Sequence, residues 1–204
     1  GSFMFGLLEW TNPATLGPLD TGDKLWASWF QGVTPRTAGF NTIDTGGMHD
    51  STSILTMTLM VVGGGSTSTA GGIKVTTLAV LLLATVAFFR RRTVLNAFGR
   101  SLGMEEVMKV MALTTLSMLL VLSGIFLVSI SHDGSFLDLA FEVTSAFGTV
   151  GLSRGATAEL DTAGRALIML IMFIGRVGPL AIGFFLATRS VPRVKYPAGQ
   201  IYLG

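Results

Sequence analysis

The sequence predicts an all-α membrane protein built from repeated units, each a helix, a re-entrant loop and a broken inner helix. Three observations predict it. Half of the 204 residues are hydrophobic and only 13% are charged, against about 25% in a soluble domain, and mean hydropathy is +0.63. Residues Val110 to Ile130 form a run of 21 positions without a charge, the length a helix needs to cross about 30 Å of hydrocarbon. Finally, several features recur at a single offset of 112 residues, and a fixed period is the signature of an internal repeat.

The elements follow in chain order. Gly6 to Trp10 reads as the last turns of a helix whose start is missing, with Trp10 at the membrane interface, where indoles are enriched. Gly1-Ser2-Phe3-Met4 shows neither a charged n-region nor an Ala-x-Ala site, so no signal peptide is expected and the chain reads as truncated. Asp20 to Asp50 is too polar to cross a membrane but holds a short apolar helix around Lys24 to Phe30. Ser53 to Phe89 is too long for one span and carries a glycine-rich stretch, Gly63 to Gly72, which predicts two pieces joined by a flexible loop. Val110 to Ile130 is the clear transmembrane helix. His132 to Arg165 again encloses a short apolar helix, from Ser135 to Val143. Ala166 to Thr188 is interrupted by Arg176, Gly175, Gly178 and Pro179, and reads as a broken helix.

Charge predicts orientation. Arg90, Arg91, Arg92, Arg100, Lys109, Arg189, Arg193 and Lys195 are eight of the fourteen Lys and Arg, and the positive-inside rule puts residues 90–109 and 189–204 in the cytoplasm. Ten of the twelve acids (Glu9, Asp20, Asp23, Asp44, Asp50, Asp133, Asp138, Glu142, Glu159, Asp161) then face outside. An acidic outer mouth would concentrate cations; acids that merely avoid a basic inner face would give the same count.

Other functions are poorly supported. There are no cysteines, and His49 and His132 are 83 positions apart without HExxH spacing, which argues against disulfides, thiolate metal sites and a zinc hydrolase. A net charge of +2 with scattered basic residues argues against nucleic acid. Gly65 to Gly71 followed by Lys74 loosely resembles a phosphate-binding loop, but such loops need Gly-Lys-Ser/Thr in succession, and Gly72 is followed by Ile73. Ser66 and Ser68 have no histidine in a span to activate them, so no enzyme is expected. The ten methionines are scattered through apolar helices and read as packing.

The repeat carries the chemistry. The 112-residue shift superimposes Thr37-Ala38-Gly39-Phe40-Asn41 on Thr149-Val150-Gly151-Leu152-Ser153, Leu25–Phe30 on Leu137–Glu142, and the Gly63 loop on Gly175 to Pro179. Either Thr-x-Gly alone could be an ordinary extracellular turn. A cation that crosses a membrane loses its water shell, and a ring of backbone carbonyls can replace it. Glycine permits the φ values that turn carbonyls inward, and Thr can add a hydroxyl oxygen. Irregular backbone at membrane depth is tolerated only where it is buried in protein or lines a watery cavity, so both glycine loops point at a pore. Arg176 inside an apolar tract costs about 2.5–3.5 kcal/mol if lipid surrounds it, so it should face the interior, as a barrier or latch at the Gly63 loop, the alternative being that it snorkels to an interface. Lys74 could line a vestibule or cap a helix. Glu142 could hydrogen-bond the backbone of the second Thr-x-Gly segment itself or only bear surface charge.

These residues carry a resemblance. Thr37 to Thr42 and Thr149 to Ser153 resemble the filter signatures of the Trk/Ktr/HKT superfamily of potassium transporters, and Arg36 to Asp44 is most similar to its Ktr membrane subunits. The likeness spans essentially the whole chain. It implies a multi-pass protein of the cell membrane, with filter loops outside, whose repeated helix–re-entrant pore loop–helix units surround one pore. Residues 1–92 would be the third of four units, its first helix mostly missing; 93–109 a cytoplasmic linker; 110–190 the fourth unit; and 191–204 a C-terminal tail. It implies a filter at Thr37, Ala38, Gly39, Phe40, Thr149, Val150, Gly151 and Leu152, with K+ held at Thr37, Gly39, Thr149 and Gly151. Gly63, Gly64, Gly65, Ser66, Thr67, Ser68, Thr69, Ala70, Gly71 and Gly72 resemble the intramembrane gating loop, and Arg176 matches the arginine that faces it. Phe40 and Leu152 stand where tetrameric potassium channels have Tyr, which suggests a looser filter. The implied function is potassium uptake past that gate, with a sodium-permeable or sodium-coupled system as the alternative. No covalent cofactor is implied; K+, or Na+, is the cargo. The implied partners are membrane lipid, a second copy of the membrane subunit docked through the Lys195–Gly204 tail, and a cytosolic nucleotide-binding regulatory ring.

Overall fold

In the computed structural model, which describes residues 1–65, 70–91, 95–97 and 100–178, the chain runs α1 (Ser2–Glu9), α2 (Thr21–Val33), α3 (Asp50–Val61), α4 (Val75–Phe89), β1 (Leu95–Ala97), β2 (Arg100–Leu102), α5 (Met104–Ser131), α6 (Phe136–Gly148), α7 (Ala156–Glu159) and α8 (Thr162–Val177). The repeat is visible in the boundaries, because α3 begins at Asp50 and α8 begins 112 residues later at Thr162. The tract from Ser53 to Phe89 is two helices with the glycine stretch between them, as its length predicts.

α5 has 28 residues, and among those described it is the one helix long and apolar enough to cross a membrane. Glu105 and Glu106 occupy its first turn, where the positive end of the helix dipole favours acids. Val107, Ser117, Gly124 and Val128 are its buried residues, while Met111, Met118, Leu119, Leu122, Phe126 and Ile130 are exposed. In water so many bare apolar side chains would be untenable; against lipid they cost nothing. α2 and α6 have 13 residues each, about 20 Å at 1.5 Å per residue, too short to cross.

Two local features differ from the sequence expectation. α8 runs through Gly175 and Arg176 without a break and stops at Gly178, one of the predicted interruptions, whose φ of +93° is a conformation that favours glycine. Gly175 is there for contact, since a Cβ on it would sit 2.1 Å from the Phe147 carbonyl oxygen. Residues 179–188 of that tract, and the tail, lie outside the described residues. The linker also holds a small antiparallel hairpin, with Leu95 opposite Leu102 and Ala97 opposite Arg100. Three-residue strands leave no alternation to read.

α6 is the centre of the packing. Every residue from Leu139 to Gly148 is buried. Leu139, Val143, Ala146 and Phe147 pack with Val128 of α5 and with Ile168 and Ile171 of α8. On the other side Phe141 joins Phe5 of α1, Met60 of α3, Leu16, Ile43 and Met48. One helix therefore belongs to two cores, and it fixes one repeat against the other.

The glycine contacts separate backbone from side-chain packing. A Cβ on Gly124 would meet only side-chain ends, Ile171 Cδ1 at 2.7 Å and Val143 Cγ1 at 3.0 Å, which can move. Gly175→Ala is therefore expected to destabilise by about 1–3 kcal/mol and Gly124→Ala by less than half of that. Thermal unfolding of the two variants in detergent checks the order.

Candidate functional site

The two short helices end differently, α6 at a left-handed Thr149 and α2 at a right-handed Thr34, but both lead into a left-handed threonine. α6 gives out at Gly148; Thr149 turns left-handed at φ +51°, ψ +39°, its N–H bonds back to Ala146 O at 3.0 Å, and Val150 N–H to Ser145 O at 2.9 Å. After α2, Ala38 N–H reaches Thr34 O at 3.1 Å and Thr37 has φ +69°. Gly39 and Gly151 follow at +74° and +94°, while Ala38 and Val150 stay in the ordinary half of φ space. The two segments thus share one alternating sign pattern. A threonine in this region costs about 1–2 kcal/mol, and such strain persists only where its surroundings over-determine it.

The segments adjoin. A Cβ on Gly39 would lie 2.4 Å from the Val150 carbonyl oxygen and 3.5 Å from Gly151 Cα. Thr37 Oγ1 donates to Gly148 O at 3.3 Å. All eight residues, Thr37 to Phe40 and Thr149 to Leu152, are therefore brought to one place. Their apolar side chains diverge: Val150 and Leu152 are buried in the core beside Met60, whereas Phe40 is 72% exposed.

Each segment is braced from its own short helix, by different chemistry. Buried Thr34 donates its hydroxyl to Phe40 O at 2.5 Å. Buried Glu142 accepts from Ser153 Oγ at 2.5 Å, from Arg154 N–H at 2.9 Å and from the Thr157 hydroxyl. Glu142 thus takes neither of the two roles expected of it: it is buried, and its bonds go to residues just after Thr149–Leu152 and not to the backbone of that segment. Sequence reasoning missed Thr34 and Arg154. Arg154 Nε pairs with Asp138 Oδ1 at 2.5 Å, and Nη1 donates to Ser53 Oγ at 2.7 Å, Thr45 O at 3.2 Å and Met48 O at 3.4 Å. Its one signal in sequence was a cation next to the Thr-x-Gly amid acids; three of its partners lie about a hundred residues upstream.

The neck of the Gly63 loop sits against the second segment. Gly63 N–H bonds Ile73 O at 2.8 Å and Ile73 N–H bonds Val61 O at 2.9 Å. Gly71 N–H donates to Thr149 Oγ1 at 3.2 Å, and a Cβ on Gly71 would be 2.8 Å from Gly148 O. Arg36 Nη1 reaches Gly63 O at 3.5 Å. Gly64, Gly65, Ala70 and Gly72 complete the described part; Ser66, Thr67, Ser68 and Thr69 lie outside the described residues. Lys74 precedes the first turn of α4 and its ammonium bonds back to Ala70 O. Arg176 is exposed on the last turn of α8, next to the Gly175–Phe147 contact.

The acids of the predicted outer face divide. Glu9 is fully buried and accepts from Asn12 Nδ2 at 2.5 Å, Thr15 Oγ1 at 2.6 Å and His49 N–H at 3.0 Å, while Glu142 and Asp138 serve the contacts above. The other seven are exposed: Asp20, Asp23, Asp44, Asp50, Asp133, Glu159 and Asp161. His49 is exposed, and His132 lies 3.8 Å from Glu159.

Because Glu142 collects three donors in a buried place, Glu142→Ala is expected to destabilise by about 2 kcal/mol or more, and Glu142→Gln, which keeps one acceptor oxygen, by roughly half as much. Thermal unfolding in detergent reads both; equal melting of Glu142→Ala and the parent would contradict the bracing role.

Residues 2–192 match the family model TrkH, described as cation transport protein. The chain is 47% identical over 198 residues to the Ktr system potassium uptake protein B of Bacillus subtilis (strain 168), covering 97% of this chain and 44% of that protein.

 A second relative, the potassium/sodium uptake protein NtpJ of Enterococcus hirae, aligns over 211 positions at 39% identity, covering 100% of this chain and 47% of its own length. The crystal structure of the potassium transporter TrkH from Vibrio parahaemolyticus superposes with a TM-score of 0.76 at 19% identity, over 91% of this chain and 41% of that one, a likeness of fold. The chain spans less than half the length of each of these proteins. The all-α membrane fold predicted from composition and repeat is the fold observed, and the family is one of ion-transport proteins, not enzymes. With nearly its whole length matched, the chain belongs to the TrkH family of cation transport proteins.

Proposed function

We propose that this chain supplies part of a potassium uptake channel or transporter, in which dehydrated K+ passes between backbone carbonyls of Thr37–Phe40 and Thr149–Leu152. The observation that carries it is the meeting of two segments with one φ pattern, Gly39 and Gly151 touching across the repeat. Alternating signs of φ turn successive carbonyls to one side of a strand, and a fixed row of such oxygens can stand in for a hydration shell. Thr37, Gly39, Thr149 and Gly151 would hold the ion. The two repeats would be the third and fourth of four units, the remaining half of the ring coming from the rest of the full-length protein, and the chain would cross the membrane several times with its filter loops outside.

The Gly63–Gly72 loop would open and close the path beneath the filter, a reading supported by the bond from Gly71 N–H to Thr149 Oγ1. Arg176 would latch that loop from α8 and set a positive barrier in the path. The partners proposed with this reading are a second copy of the membrane subunit, surrounding lipid, and a cytosolic nucleotide-binding ring acting on the gate. A second reading, a sodium-permeable or sodium-coupled system of the same architecture, is favoured by the likeness to a potassium/sodium uptake protein.

Uptake of labelled rubidium into vesicles that hold the full-length protein tests the conduit. Gly39→Ser and Gly151→Ser, each with folding intact, are expected to lower flux by about tenfold or more, since a misplacement of about 1 Å at such a site has effects of that order. Undiminished flux in both would contradict it. Competition by sodium separates the two readings: strong inhibition by K+ and weak inhibition by Na+ supports the first. Arg176→Ala is expected to raise basal flux, and unchanged conduction removes the latch.

A further inference from the structure

We propose that Arg154 is a positioning residue that sets how well the second Thr-x-Gly segment discriminates between K+ and Na+. The inference rests on the filter reading above and extends it to a residue outside the filter. Arg154 stands two positions after Leu152, and its side chain is only 10% exposed. Its guanidinium grips both repeats at once. Nε holds Asp138 of α6 at 2.5 Å, while Nη1 holds Ser53 Oγ of α3 at 2.7 Å and the carbonyls of Thr45 and Met48 at 3.2 and 3.4 Å.

The backbone N–H of the same residue is bonded to Glu142 Oε1 at 2.9 Å. Asp138 and Glu142 are one turn apart on α6, so side chain and main chain of Arg154 are fastened to one helix face. The loop from Thr45 to Met48 and the start of α3 belong to the other repeat, which also carries Gly39. Gly39 and Gly151 lie in contact, so the position of one repeat relative to the other sets the spacing of the two rows of carbonyls. Spacing and rigidity of those oxygens enter every account of ion discrimination by a carbonyl filter. A planar guanidinium with a fixed fork of donors can hold four acceptors in register; an ammonium on a flexible stem is a single point.

Charge is disposed so that the clamp does not obstruct the path. A bare guanidinium beside the filter would repel entering cations. Here the guanidinium is paired with the Asp138 carboxylate, while the Glu142 carboxylate takes the main-chain N–H of the same residue. No other cation donates a side-chain hydrogen bond to either carboxylate among the described residues.

The test uses the full-length protein in vesicles and reads the ratio of K+ to Na+ uptake together with total rubidium flux. Arg154→Met is expected to lower the ratio on the order of tenfold while rubidium flux persists, an effect in the range of remote positioning residues, and Arg154→Lys is expected to fall between. Should Arg154→Met fail to fold, Ser53→Ala and Asp138→Asn each remove one arm of the clamp and are expected to lower the ratio by smaller factors. An unchanged ratio in Arg154→Met, or in both single-arm variants, overturns the proposal. Absence of rubidium flux in the parent protein overturns instead the filter reading on which it rests, so the two failures are told apart.

Discussion

The structure depends on holding two short stretches of irregular backbone against each other. Thr37 and Thr149 are left-handed and so are Gly39 and Gly151. In lipid an unsatisfied peptide group costs several kcal/mol, and a left-handed threonine adds its own strain. Such a conformation survives only if its surroundings leave no alternative.

The surroundings are built accordingly. α6 is buried from Leu139 to Gly148 and takes part in both hydrophobic cores, so the end of the helix from which the second segment departs has no room to shift. Glycines bring backbone to backbone at the contacts: Gly175 on Phe147, Gly148 on Met60, Gly71 on Gly148 and Gly39 on Val150. The two repeats reach similar geometry by unlike means. The first uses the Thr34 hydroxyl on Phe40 O, and the second uses the Glu142 carboxylate on Ser153 and Arg154. By the 112-residue offset, Thr34 corresponds to Ala146 and Phe30 to Glu142. The backbone conformation is thus shared while the side chains that secure it are not.

Much of this was legible in the sequence. The uncharged run that became α5, the two short helices and the glycine stretch between α3 and α4 all follow from hydropathy, length and glycine placement. The paired Thr-x-Gly segments were visible because a fixed offset compares like with like. The start of α5 was placed six residues late, at Val110 instead of Met104, because a search for uncharged residues stops at Lys109 although the helix continues into the polar interface. Gly175 was read as a break because glycine weakens helices in general, while its use here is close approach. Arg154 and Thr34 escaped notice for a different reason. Their partners are mostly backbone oxygens, and Arg154 reaches three of its acceptors across roughly a hundred residues; nothing in a sequence pattern announces a carbonyl as a partner.

The most direct measurement is the anomalous density of thallium, a heavy stand-in for K+, in crystals of the full-length protein. The account predicts a peak beside Gly39 and Gly151, within coordinating distance of the carbonyl oxygens of Thr37–Phe40 and Thr149–Leu152. A map in which those carbonyls point away from each other, with no peak between the two segments, would contradict it.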